Sequence, residues 1–312
     1  STLLNAALDQ PLAIVSRKPQ TTRQRLLGIV RHGGAEIGLL DTPGLHRPET
    51  SLGHAMNLAA REALREADLP IFVTALPQRP GEQLQPHRGD LELLEMLPSD
   101  RPAILVVNKI DLLPDKRLLL PLIQRFSEAR SFDAIVPVSA RRHDGIVRVL
   151  DEAARLLPTG SARHPEDALT DRPLRFFAAE YVREPILEAT KQEIPYSVAV
   201  TIDQFTEPPD GGTIHVAATI VAERQGQKRI LVGKGGEMLR RIGTKARKRI
   251  EQLTGRTVML KLWVRVVPDW RDRPQHLHEF GYGSAGARTK GSARASGSRK
   301  GKKAKRGKGR RP

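Results

Sequence analysis

Three short polar stretches each follow an apolar run, and their residue types could bind a nucleotide. Asp41 and Gly44, in Asp-Thr-Pro-Gly, could hold Mg²⁺ through water and let backbone N–H groups approach a phosphate. Asp111, in Asn-Lys-Ile-Asp, could accept hydrogen bonds from N1–H and the exocyclic amine of guanine, a pair of donors that adenine lacks. Ser139 and Ala140 are small enough for a backbone N–H to reach the guanine oxygen.

The order and spacing of these stretches carry more weight than any one of them, because each alone is also an ordinary turn. Asn108 follows Asp41 by 67 positions, and Ser139 follows Asn108 by 31 positions. At neighbouring strand ends, Asn108 could join adjacent loops and the stem of Lys109 could lie over the base. Together the three stretches predict a site that selects guanine nucleotides.

Alternating strand and helix patterns in residues 1–160 predict the fold that positions these stretches. Apolar runs of strand length precede all three, and residues 51–69 have apolar side chains at helical spacing. The run at residues 69–76 is predicted to be a buried strand. Such alternation is typical of an α/β fold with a mostly parallel sheet covered on both faces. Ligands of these sheets bind beyond the carboxyl ends of the strands.

The pattern changes after a polar, Pro/Gly-punctuated linker at residues 161–172. Residues 173–283 alternate like antiparallel strands around a basic amphipathic helix, which predicts a separate α+β domain. Trp263 and Trp270 could stack on bases, although we expect Trp263 to pack against the sheet.

A glycine-rich turn opens the basic helix of this second domain. Its sequence, Gly-Lys-Gly-Gly at residues 233–236, fits the G-x-x-G loop by which KH domains clamp about four single-stranded nucleotides. The alternative is a solvated helix with a Gly-rich start. The candidate RNA-binding residues are Gly233, Lys234, Gly235, Gly236, Arg240, Arg241 and Lys248.

The charge is concentrated at the carboxyl end of the chain. The formal net charge of the 312 residues is +17, and residues 284–312 hold twelve Lys and Arg and no Asp or Glu. This Gly/Ser/Ala-rich tail is predicted to be disordered and to bind polyanions with little sequence preference, although it could also be a solubilising extension. The absence of cysteine excludes disulfides and thiolate metal sites.

From residue 1 to about residue 283 the chain resembles the Era family of bacterial P-loop GTPases, which act in ribosome assembly. The segments SRKPQTTRQRLLGI, DTPGLH, NKID and PVSA occur in the order typical of that family. DRPLRFFAAEYVREPILEATKQEIPYSVAV and EFGYG extend the resemblance into the second domain, where it implies a type II KH fold.

The resemblance implies roles for further residues. Ser1 would be the magnesium-binding serine of the phosphate loop, and a threonine of the first switch would also meet magnesium; of Thr21 and Thr22 we favour Thr22. The implied nucleotide-binding residues are Ser1, Thr2, Asp41, Thr42, Pro43, Gly44, Asn108, Lys109, Asp111, Ser139 and Ala140. The implied switch residues are Gln20, Thr21, Thr22 and Arg23, and the implied metal ligands are Ser1, Thr22 and Asp41.

The resemblance also implies GTP or GDP with Mg²⁺ as cofactors and slow hydrolysis, because Leu45 stands where Ras-like enzymes carry a water-orienting glutamine. No residue is identified as the catalytic base. The implied partners are the 3′ end of 16S ribosomal RNA and the small ribosomal subunit. The implied state is a cytoplasmic monomer, which could also lie against the anionic inner face of the cell membrane.

The Gly-rich phosphate loop, its lysine and the strand before it are expected to precede Ser1 in a longer natural chain. The printed chain alone is therefore expected to be inactive as a GTPase. The alternative is a nucleotide-independent KH-type RNA-binding protein with a decayed GTPase domain. A third option, a tRNA-modification GTPase, is disfavoured by the G-x-x-G turn.

Overall fold

The computed structural model of the chain describes residues 1–76 and 84–283. The predicted disordered tail, residues 284–312, lies outside the described residues. The elements of the first half, the α/β unit, are α1 (Thr2–Leu8), β1 (Leu26–His32), β2 (Ala35–Asp41), α2 (Ser51–Glu66), β3 (Ile71–Ala75), α3 (Arg88–Leu94), β4 (Ile104–Asn108), α4 (Leu119–Ala129), β5 (Ala134–Pro137) and α5 (Ile146–Leu156). Those of the second half, the α+β unit, are α6 (Leu174–Ala189), α7 (Ile194–Ser197), β6 (Ala199–Thr206), β7 (Ile214–Ala222), α8 (Gln225–Val232), α9 (Glu237–Thr254), β8 (Val258–Val266) and α10 (Pro274–Glu279).

A parallel sheet of β3, β4 and β5 forms the centre of the α/β unit. Strand β4 lies between the other two, and Ile104, Leu105, Val106 and Val107 are each 0% exposed. This burial on both faces explains why the sequence of β4 is a continuous apolar run. The predicted α/β architecture with a parallel sheet is confirmed.

Strands β1 and β2 form a separate antiparallel hairpin that the sequence patterns do not predict. Its two-residue turn is Gly33-Gly34, and both glycines have positive φ, 57° and 81°. Such turns match the twist of the flanking strands and need residues that tolerate positive φ. Asp41 is the last residue of β2, and β2 is the hairpin strand that faces β3.

A cavity of about 540 Å³ separates β2 from β3, and Gly38–Asp41 and Ile71–Val73 line its two sides. Because no strand of the described residues pairs with this side of β3, Val73 is 47% exposed. The prediction that β3 is a buried strand is therefore wrong for this residue. Asn108, at the end of β4, lines the same cavity, which links the metal and base regions of the predicted site.

The segment between α5 and α6, residues 157–173, contains the predicted linker and lies along the β1–β2 hairpin without helix or strand of its own. The Ile29 N–H donates to the Leu169 carbonyl at 2.9 Å. Glu36 accepts hydrogen bonds from the backbone N–H of Arg163 at 2.9 Å and from the His164 ring at 3.0 Å. These donors lower the pKa of Glu36 to about 2, the Arg163 N–H most strongly. The segment is thus attached to the hairpin at several points.

The α+β unit contains a three-stranded sheet in the order β6-β7-β8. Strands β6 and β7 are antiparallel, as predicted, and β8 runs parallel to β7. Val258 and Val264 are buried, so the face of β8 formed by its even-numbered positions enters the core. Trp263 is 51% exposed, which corrects the expectation that it packs against the sheet, because odd-numbered positions of β8 point away from that core.

Among residues 1–76 and 84–283, no helix has the length and apolar character needed to cross a membrane.

Candidate functional site

Oxygen atoms from three separate segments meet at the start of α1. The Ser1 hydroxyl lies 2.6 Å from the Thr22 hydroxyl and donates to the Asp41 carboxylate at 2.8 Å. Thr22 Oγ1 donates to the same carboxylate at 3.2 Å. Hydroxyl and carboxylate oxygens are the hard ligands that Mg²⁺ prefers. This donor set, which contains all three predicted metal ligands, therefore fits a magnesium ion.

The switch segment approaches this oxygen cluster through Thr22 and not through Thr21. The Thr21 hydroxyl donates to the Lys18 carbonyl at 2.7 Å and lies 3.0 Å from the Ser16 hydroxyl. Gln20 has a positive φ of 57°, which marks the local turn before the two threonines.

The other residues predicted to hold the phosphates lie around the oxygen cluster. Thr2, Gln20 and Gly44 line a cavity of about 240 Å³ together with Ser1 and Thr22. Thr42 and Pro43 line the neighbouring cavity between β2 and β3. A Cβ atom at Gly44 would have no neighbour within 4 Å, so this backbone is open to close approach.

The residues predicted to read the base meet where β4 and β5 end side by side. Asp111 Oδ1 accepts a hydrogen bond from the Ser139 hydroxyl at 2.6 Å. That hydrogen bond is the main reason that the pKa of Asp111 is lowered, which further favours the ionised carboxylate, an acceptor of hydrogen bonds. Ser139 is 0% exposed, which fixes the position of this pair.

Asn108 joins the two loops that hold the residues predicted to read the base. Its side-chain oxygen accepts from the Lys109 N–H at 2.7 Å and from the Ala140 N–H at 3.1 Å. Lys109 adopts a left-handed conformation, φ 67° and ψ 32°, which turns the chain from β4 toward Asp111. Because the Ala140 N–H is held by Asn108, it is not a free donor for the guanine oxygen.

The G-x-x-G turn lies between α8 and α9 in the α+β unit. Gly233, Gly235 and Gly236 have φ values of 73°, 59° and 80°. Cβ atoms at Gly235 and Gly236 would have no neighbour within 4 Å, so a phosphate could approach this backbone closely. The Lys234 side chain is exposed beside them.

The predicted basic residues of α9 fall into two groups. Lys245, Arg247 and Arg249 form ion pairs with Glu188, Glu251 and Glu184. In contrast, the exposed side chains of Arg240, Arg241 and Lys248 form no ion pair within the part of the chain that the structure describes. The second group is therefore the one available to an anionic ligand.

Trp270 is buried and cannot stack on a nucleic-acid base. Its side chain is 0% exposed, and its indole N–H donates to the Ser197 carbonyl at 2.9 Å. Its ring stacks on Tyr282, with 5.8 Å between centroids. The sequence prediction of a base-stacking role is wrong for this residue, because the indole lies in a buried cluster that also contains Leu52 and Met56 of α2.

Sequence reasoning placed Arg23 in the switch but missed where its side chain goes. The side chain is 5% exposed and extends into the α+β unit, where it donates to the carbonyls of Pro195, Tyr196 and Val198. No local pattern could have revealed this contact, because it joins residues about 170 positions apart.

Comparisons with known proteins agree with both units. A family model described as 50S ribosome-binding GTPase matches residues 1–109, and one described as KH domain matches residues 193–271. GTPase Era of Geobacter metallireducens is 43% identical over 283 residues, which cover 90% of this chain and 93% of that protein. GTPase Era of Ruminiclostridium cellulolyticum is 40% identical over 283 residues, which cover 90% of this chain and 92% of that protein.

Two solved structures are similar over most of their length. One is Era in complex with MgGDPNP and nucleotides 1506–1542 of 16S ribosomal RNA, at a TM-score of 0.84 and 37% identity, covering 91% of this chain and 94% of that one. The other is an Aquifex aeolicus Era variant bound to GDP.AlF4⁻, at a TM-score of 0.85 and 37% identity, covering 91% and 95%. At this identity and coverage, the chain belongs to the Era family of GTPases.

Proposed function

We propose that this protein is a GTP-hydrolysing switch that binds the 3′ end of 16S ribosomal RNA and assists assembly of the small ribosomal subunit. The observation that carries the proposal is the Asp111 carboxylate, which accepts a hydrogen bond from the Ser139 hydroxyl at 2.6 Å where β4 and β5 end, while Asn108 binds the neighbouring Ala140 N–H. An ionised acceptor in this position pairs with the two donors of guanine and leaves adenine unpaired.

The oxygen cluster of Ser1, Thr22 and Asp41 is the proposed site of the magnesium ion that accompanies GTP or GDP. Bound there, Mg²⁺ would neutralise charge on the nucleotide phosphates. The Asp41 Oδ2 atom lies 2.8 Å from the Ser1 hydroxyl oxygen and 3.2 Å from the Thr22 hydroxyl oxygen, so it keeps both close to the site. Thr22 belongs to the switch segment, so its contact with this site changes when the segment moves.

The G-x-x-G turn and the unpaired cations of α9 are the proposed contacts with RNA. The open backbone at Gly235 and Gly236 admits phosphates, and Arg240, Arg241 and Lys248 supply positive charge along the same helix. The related Era complex with a 16S ribosomal RNA segment supports this choice of ligand. We place the protein in the cytoplasm as a monomer, with the twelve cations of residues 284–312 suited to an anionic membrane surface.

The base assignment is tested by Asp111→Asn in the protein as its gene encodes it. The amide replaces an acceptor by a donor opposite the guanine amine, so we expect GTP affinity to fall at least 100-fold, the order by which unpaired buried groups discriminate. Xanthosine triphosphate, which carries an oxygen at that position, should gain affinity. Equilibrium titration with fluorescent analogues of both nucleotides measures the two constants.

Asp115→Asn is the matched control, because Asp115 lies four residues away and caps a short helical turn through the Arg117 N–H, a role that asparagine also fills. It should leave both affinities unchanged. Equal GTP affinity in Asp111→Asn and in the unsubstituted protein would refute guanine recognition by Asp111. Absence of any GTP binding, together with undiminished RNA binding, would point instead to a nucleotide-independent RNA-binding protein.

A further inference from the structure

Arg23 is a buried cation whose partners all belong to the other structural unit. It follows Thr22 directly, and its guanidinium donates to the carbonyls of Val198 at 2.6 Å, Pro195 at 2.9 Å and Tyr196 at 2.9 Å. Burial lowers the pKa of this arginine, which reflects the cost of removing a cation from water. A buried cation is retained only where its hydrogen bonds are satisfied, so this contact is specific.

The carbonyls that Arg23 reaches lie at the end of α7, where helix carbonyls lack intrahelical partners. The remaining carbonyl of this run, that of Ser197, accepts from the Trp270 indole at 2.9 Å. Four successive carbonyls are thus held by two side chains, one from each unit. Strand β6 begins at the next residue, Ala199, so the contact is continuous with the sheet of the α+β unit.

Arg183, on α6, holds the other side of Thr22. It is 1% exposed and donates to the Thr21 carbonyl at 2.5 Å. Glu180, one turn earlier on α6, binds the same guanidinium at 2.9 and 2.6 Å and so fixes its orientation. The residues before and after Thr22 are therefore both bound to the α+β unit, while the Thr22 hydroxyl faces the oxygen cluster.

A second set of contacts joins α6 and α9 to the chain segment just before the switch. Arg249, on α9, donates to the Pro11 carbonyl and forms an ion pair with Glu184 at 3.4 Å. The Glu184 carboxylate in turn accepts from the Val15 N–H at 3.2 Å. Helix α9 begins at the G-x-x-G turn, so the helix that carries the proposed RNA contacts also binds the segment that leads to Thr22.

We infer that Arg23 and Arg183 are positioning residues that couple the switch threonine to the RNA-binding unit. They fix Thr22 relative to the magnesium site from outside the α/β unit, so the docking of the α+β unit sets the geometry in which GTP is hydrolysed. By linkage, nucleotide state changes the RNA affinity by the same factor by which RNA changes the nucleotide affinity. This inference rests on the proposed function, and it assigns the coupling between nucleotide binding and RNA binding to these two side chains.

The test compares the Arg23→Gln and Arg23→Lys variants with the unsubstituted protein, all three expressed from the full gene. Arg17→Gln is the matched control, because Arg17 is exposed on the same segment. The first readout is the ratio of affinities for a 16S 3′-end oligonucleotide with a non-hydrolysable GTP analogue and with GDP. Couplings of this kind are typically 5- to 150-fold. We expect Arg23→Gln to bring the ratio close to one and Arg17→Gln to leave it unchanged.

The second readout is GTP hydrolysis at saturating and limiting GTP. Because Asp111 is remote from Arg23 in the chain and keeps its Ser139 contact, KM should change less than twofold while kcat falls about tenfold or more. Arg23→Lys keeps the charge but cannot span three carbonyls in a rigid fork, so it should retain only part of the coupling. Arg183→Lys should behave in the same way, and either lysine variant serves if a glutamine variant does not fold.

The outcomes separate the inference from the proposed function. If the unsubstituted protein neither binds GTP nor changes its RNA affinity with nucleotide, the proposed function fails. If it does both, and the folded Arg23 and Arg183 variants keep the full affinity ratio and kcat, the inference is wrong. A drop in kcat with an unchanged affinity ratio would also overturn it, since a local effect on hydrolysis is not coupling.

Discussion

Replacing Gly233 by alanine should destabilise the α+β unit strongly, whereas the same change at Gly235 should not. Gly233 has φ 73° and ψ 174°, a conformation essentially confined to glycine, which costs another residue about 1–3 kcal/mol. Its new Cβ atom would lie 2.8 Å from the Met238 Cβ and 2.9 Å from the Met238 nitrogen. Relieving such an overlap in packed structure costs about 1–3 kcal/mol more.

Gly235 provides the matched control within the same turn. Its φ of 59° and ψ of 19° lie in the left-handed helical region, which costs an alanine about 1–2 kcal/mol, and its Cβ would meet nothing within 4 Å. Alanine also restricts the unfolded chain, which returns about 0.4–1 kcal/mol in both variants. The expected losses in free energy of unfolding are therefore about 1–5.6 kcal/mol for Gly233→Ala and about 0–1.6 kcal/mol for Gly235→Ala.

Urea denaturation followed by tryptophan fluorescence measures this difference. In a Trp263→Phe background, the buried Trp270 is the remaining tryptophan and reports on the α+β unit. The midpoint should shift without a change of slope, because the surface exposed on unfolding is the same. Equal losses in the two glycine variants, or a loss below about 1 kcal/mol for Gly233→Ala, would show that the described conformation of the turn is wrong.

The remaining predictions concern RNA binding and acid stability. Lys234→Asp combined with Gly235→Asp should abolish discrimination between the 16S 3′-end sequence and a scrambled oligonucleotide. Deleting residues 284–312 should instead weaken the binding of both RNAs alike and reduce its dependence on salt. Titrations at two salt concentrations measure both effects, and the opposite pattern would contradict the assignment of specificity to the G-x-x-G turn. Glu36 has its pKa lowered to about 2, so it stabilises the folded state above its unfolded pKa and loses that contribution as pH falls toward 2. Glu36→Gln should therefore be less stable than the unsubstituted protein at pH 7, and the difference should vanish near pH 2; a pH-independent difference in melting temperature would contradict this.

The placement of the residues predicted to read the base could be derived from the sequence, because local patterns determine it. An uninterrupted apolar run places β4 in the middle of the sheet, and the Asn-Lys-Ile-Asp stretch must then emerge at its carboxyl end. The adjacent strand β5 ends at the same edge, which brings Ser139 within 2.6 Å of Asp111. Side-chain chemistry and strand order together were sufficient here.

The contacts between the two units could not be predicted in this way. The sequence indicates that Arg23 is an exposed residue of the switch. Its side chain is buried only because α7 packs against it. The two tryptophans were misplaced for a related reason: an alternating strand pattern does not reveal which face meets the helices or which loop residue closes the core. Trp263 is exposed and Trp270 buried, the reverse of what their surroundings in the sequence indicate.

The attachment of the linker to the β1–β2 hairpin limits the reach of the α+β unit. The Leu169 carbonyl is bound to the hairpin and α6 begins at Leu174, so residues 170–173 form a short tether, which the Arg172 side chain also attaches to the Arg25 carbonyl at 2.7 Å. Four extended residues span about 14 Å. If the contacts between the two units break together, those of Arg23, Arg183 and Arg249 included, the released unit can pivot about this short tether but cannot diffuse away, and its effective concentration near the switch stays high. Rebinding of the α+β unit is then fast, which favours repeated opening and closing of the two units over a single opening.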